Sequence, residues 1–108
     1  MLRGRTGSSM LAVEFIPRIR ERLAQLEPSR GDARISGRRA ALWRAQQYAA
    51  RRGRTRDDLR RYCLRSLGQR RRLAAEDEND YLRGFREGFQ TVLSEIRRVE
   101  TRRDPAGG

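Results

Sequence analysis

The chain has no histidine and no lysine, and only one cysteine, one tryptophan and three prolines. Without histidine, the usual general base, the usual activator of a nucleophile and the commonest metal ligand are missing together. A lone Cys63 excludes an intramolecular disulfide and any multi-cysteine zinc site. The carboxylates that remain, Asp57 with Asp58 and the cluster at 76–80, stand where helix starts favour negative charge. No catalytic residue, metal ligand or cofactor is therefore expected, and the chain reads as a non-enzyme. Long apolar runs are missing too, so neither a signal-peptide core nor a transmembrane helix is expected.

Large hydrophobes are scarce. Leu, Ile, Val and Phe supply 21 of 108 residues, which with a net charge of +12 meets the compositional warning for disorder. A chain of this length makes one domain at most. Its core is thin, and an oligomer or an obligate complex is expected.

What the chain does have is arginine: all 26 cationic side chains are of this type, against 14 acids. GC-rich coding explains the choice of arginine over lysine but not the excess of bases over acids. The planar guanidinium fork suits phosphate and carboxylate alike. The excess is uneven, because residues 1–75 hold 20 arginines and six acids, a balance of +14, whereas 76–108 hold six and eight, a balance of −2. That division resembles a polyanion-binding part joined to an association part.

The association part is the clearest element. In 79–103 the large apolar residues fall at Leu82, Phe85, Phe89, Val92, Ile96 and Val99, alternating steps of three and four, which is a heptad seam on one face of a helix. The opposite face carries Arg83, Glu87, Gln90, Ser94 and Arg98, and Pro105 stops the helix. Either Asp77 or Asn79 is expected to cap it. Gly84 and Gly88 hint that another backbone comes close.

Elsewhere the spacing predicts helices over about 10–27, 38–52 and 55–68, with a linker at 28–37 and flexible ends at 1–9 and 104–108. Pro17 either kinks the first helix or starts it, and in the latter case Leu11, Val13 and Phe15 alternate as a short strand. The second helix turns Ala41, Leu42, Ala45, Tyr48 and Ala49 to one face, with Gly53 as its C-terminal cap. Thr55 and Asp58 form a capping box for the third, which should break or fray in its last turn near Gly68, since beyond it Arg70 would point into the apolar stripe. The fold class is all-α: a small bundle of three to four helices in a single domain, 10–103, with a long C-terminal heptad-type helix.

The stretch 49–64, A-A-R-R-G-R-T-R-D-D-L-R-R-Y-C-L, resembles the helix, glycine turn and second helix of ribbon-helix-helix DNA-binding proteins at Gly53, Thr55, Asp58, Leu59, Arg61, Cys63 and Leu64. It departs from them at Arg60, normally an apolar core position, and at 34–38, which lacks the alternating groove-reading strand. The resemblance implies DNA binding, and no base-reading residue is carried over from it.

The favoured function is nucleic-acid binding with little sequence specificity by the arginine-rich middle, with Arg39, Arg44, Arg51, Arg61, Arg65, Arg71 and Arg72 as contacts. Trp43, set among arginines, either stacks on a base or packs on the N-terminal helix. Leu82, Phe85, Phe89, Val92, Ile96 and Val99 are the expected oligomer or partner interface. RNA and DNA are not distinguished, for want of an RNA-recognition aromatic motif. The alternative is an assembly or adaptor protein that docks its C-terminal helix on an acidic partner. A cytoplasmic or nucleoid location is expected from the missing export signal and the unpaired thiol, with weak organelle-targeting character in residues 1–13.

Overall fold

Pro17 decides where the first helix begins. It lies in the first turn of α1 (Ile16–Gln25), where its missing N–H has no partner to lose, and a 3-10 turn over Ala12–Phe15 leads into it. The computed structural model describes residues 10–26, 31–77 and 79–103, with their side chains except over 69–77 and at 103. Within these, three further helices follow: α2 (Ala33–Ala49), α3 (Arg56–Asp77) and α4 (Asp80–Arg103). Instead of a strand at Leu11 to Phe15 there is a single antiparallel bridge between Leu11 and Thr55. Ala12 N–H donates to the Arg54 carbonyl at 2.9 Å and Arg56 N–H to that of Met10 at 2.6 Å, tying the N-terminal segment to the turn before α3.

The described residues thus form an all-α bundle. Helix bounds differ from expectation in α1, α2 and α3. α2 starts inside the expected linker because the Asp32 side chain accepts from the N–H groups of Arg34 at 3.1 Å and Ile35 at 3.2 Å. Gly53, with φ of +79°, serves the turn after α2 and not its cap, which is Ala50. The break expected at Gly68 is also absent. The residues after it, arginine, leucine and alanine, are good helix formers, and one exposed glycine costs only about 1 kcal/mol. Thr55 and Asp58 exchange both hydrogen bonds of a capping box, at 2.9 and 3.1 Å, and Asn79 caps α4 through the Leu82 N–H at 2.8 Å. Residues 1–9, 28–30 and 104–108, expected to be loose or linker, lie outside the described residues.

α2 and α4 cross with their backbones in contact. A Cβ on Gly37 would overlap the Tyr81 carbonyl, one on Gly84 would overlap the Arg34 carbonyl, and one on Gly88 would lie 2.6 Å from the Ala41 Cβ. Gly37, Ala41, Ala45 and Ala49 step by four along α2, giving α4 a flat track of small residues. Into the remaining space go Phe15 and Ile19 from the N-terminal elements, Leu59 and Cys63 from α3, and Phe85, Phe89, Val92 and Ile96 from α4.

Each of the first three helices also holds α4 by the same device, a pair of arginines four residues apart closing on one glutamate. Arg18 and Arg22 of α1 take Glu95, at 3.3 and 2.5 Å. Arg34 and Arg38 of α2 take Glu87, and Arg56 and Arg60 of α3 take Glu100. Glu95 is only 4% exposed. The clamp explains Arg60, which the ribbon-helix-helix pattern would make apolar. Residues 34–38 are helical and form no ribbon strand.

Candidate nucleic-acid interface

Because the small residues of α2 face α4, its bulky polar residues are left on the outside. Arg39, Trp43 and Gln47, four apart, form an exposed ladder along α2, with Arg44 beside them and Arg51 exposed two residues past the helix end. Trp43 is 53% exposed. It borders two open grooves. One, of about 370 Å³, is lined by Trp43, Arg44, Gln47, Tyr48, Arg51 and Tyr62. The other, of about 450 Å³, lies toward α1 and is lined by Leu23, Ser36, Arg39, Ala40 and Trp43. Trp43 therefore shares a groove with Leu23 of α1, and its side chain remains half open to solvent.

Aromatic packing stiffens the first groove. Tyr48 stacks on Tyr62 at 4.3 Å between centroids with 9° between planes, and Tyr62 meets Phe89 edge-on at 5.9 Å. The guanidinium carbons of Arg54 and Arg51 stand 5.0 and 5.5 Å from the Tyr48 centroid, and that of Arg44 is 5.7 Å from the Phe85 ring. A guanidinium resting on a ring keeps its in-plane N–H groups for an anion. Among the described residues, no carboxylate lies within ion-pair distance of Arg39, Arg44, Arg51, Arg54 or Arg65.

Of the expected contacts, Arg39, Trp43, Arg44 and Arg51 come together on this face. Arg65 is exposed on α3, roughly 60° round the helix from Tyr62. Arg61 is on the same arc, but Asp58 lies 3.5 Å from it. The side chains of Arg71 and Arg72 lie outside the described residues. Gln47, Tyr48, Arg54 and Tyr62 also belong to the site and are not among the sequence candidates. For Gln47 the signal was its place four residues after Trp43. For Tyr48 and Tyr62 there was none, because each lies on the core face of its helix and only the stacking of the two helices brings them to the groove.

Phe85, Phe89, Val92, Ile96 and Val99 of the expected oligomer or partner interface are buried within the chain and Leu82 is half-buried, the helix packing against α2 and α3. Burial pushes the Cys63 thiol up to about 12, which keeps it protonated and unreactive at neutral pH. Among the described residues no cluster of three or more Cys, Asp or Glu could hold a metal ion, and no helix is long and apolar enough to cross a membrane. Compared with family models, with curated proteins and with solved structures, the chain matches none.

Proposed function

We propose that the chain binds nucleic acid, with little sequence specificity, through the outer face of α2. The observation that carries this reading is Trp43: a half-exposed indole on a helix face where Arg39 and Arg44 have no carboxylate partners among the described residues. Arg39, Arg44 and Arg51 neutralise phosphates, and the indole offers its π-face to a base, which every base can accept. Hydrogen-bonding groups that would read base edges are few, in keeping with low specificity. The adaptor alternative needs the apolar face of α4, and that face is occupied inside the chain.

Binding measured in rising salt tests the proposal. Three phosphate contacts predict that log K falls against log salt with a slope of about −2 to −3. Changing Arg39, Arg44 and Arg51 together to Gln should flatten the slope and weaken binding, while Arg20→Gln on α1 should leave both nearly as they were. No binding to single-stranded or duplex nucleic acid at low salt would overturn it.

A further inference from the structure

We infer that the ligand of this surface is an unpaired strand, with Trp43 inserted between two consecutive bases. This rests on the nucleic-acid reading above and goes further than it. Trp43 lines both grooves, so there is open space beside it toward α1 and toward the Tyr48–Tyr62 stack. Leu23 and Ala40 give an apolar floor to one groove, and the Tyr48–Tyr62 stack gives one to the other. Gln47 carries both a donor and an acceptor beside the groove that Tyr48 and Tyr62 line, which suits the edge of any base. Arg39 stands at one end of the row, Arg44 beside Trp43, and Arg51 just past the end of α2. From Arg39 to Ala49 the helix rises about 15 Å, enough to follow several phosphates of an extended backbone.

An inserted ring separates two bases that otherwise stack about 3.4 Å apart. A duplex must unstack a paired step to admit it, whereas a single strand opens the step with little penalty. Trp43 is the only tryptophan in the chain, so its fluorescence reports this site alone.

The test uses the full chain at low salt with three probes of equal length: a mixed-sequence single strand, the corresponding duplex, and a strand whose bases are replaced by abasic sites. The single strand should quench the Trp43 emission and bind roughly 5- to 100-fold more tightly than the abasic strand, the range expected from stacking on one aromatic. By anisotropy, Trp43→Ala should drop the single strand to the abasic level. Trp43→Phe, with the same helical circular dichroism, should restore most of the difference. Equal binding of single and abasic strands, an unchanged affinity in Trp43→Ala, or a duplex that quenches and binds as well as the single strand would each overturn the inference while leaving phosphate-driven binding intact. Failure of all three probes to bind would remove the reading it rests on.

Discussion

Cutting the Glu95 clamp from its two sides should have unequal consequences. The carboxylate is buried, with its side chain 5% exposed, while Arg18 and Arg22 are 35% and 32% exposed. Glu95→Gln leaves two guanidinia that water reaches, and should destabilise by about 1 kcal/mol. Arg18→Ala with Arg22→Ala leaves a charge shut away from water without a partner and should cost about 3 kcal/mol or more. Urea unfolding at neutral pH separates the two cases. The Glu87 clamp instead predicts a dependence on pH. Its carboxyl is held at about 2 by the Arg34 hydrogen bond and then by Arg38, below its ordinary value of 4.5. A depressed folded value means that the contribution is fully present above pH 4.5 and lost as pH falls through 2. Wild type should therefore exceed Glu87→Gln in stability by about 1 kcal/mol above pH 5, a modest figure because its arginines are well exposed. That gap should close toward pH 2. A gap unchanged across this range would contradict the clamp.

At the scale of elements, glycine separates contact from mere presence. Gly84→Ala and Gly37→Ala each drive a methyl into backbone of the facing helix, which can yield only by separating α2 from α4, and should cost about 3 kcal/mol. Gly68→Ala meets no heavy atom within 4 Å and lies inside α3, so it should stabilise by about 0.5–1 kcal/mol. Thermal unfolding of the three variants measures both signs. The same glycines show where the sequence was legible. The stripe of α4 could be read from its period, and Gly84 and Gly88 pointed to a close backbone. That this backbone is α2 could not be read, since Gly37 and Ser36 resemble loop residues until Tyr81 is seen against Gly37. Asp32 was the available signal for the true start of α2, and the glycine and serine around it masked it.

Across the whole molecule, the basic and acidic segments of the sequence are joined by ion pairs. The balances of +14 before residue 76 and −2 after it suggest two separate jobs. In the fold, Glu87, Glu95 and Glu100 of the second part each lock onto an arginine pair of the first, so the two parts are one structure. This also answers the thin core: close helix contact over glycine and alanine, together with three clamps, supplements the few large hydrophobes. The R-x-x-x-R spacing at 18/22, 34/38 and 56/60 was visible in the sequence, but its partners lie up to 77 residues away along the chain. Arg39, Trp43, Arg44 and Arg51 could be placed on one face from helical period alone, and only the packing of α3 added Tyr62 to them. The most direct measurement is amide and indole chemical-shift mapping of the labelled chain as a single-stranded oligonucleotide is added. Perturbations centred on α2 between Arg39 and Arg51, with the Trp43 indole N–H among the largest, are predicted. Shifts confined to α1 or α4, or none at low salt, would contradict the account.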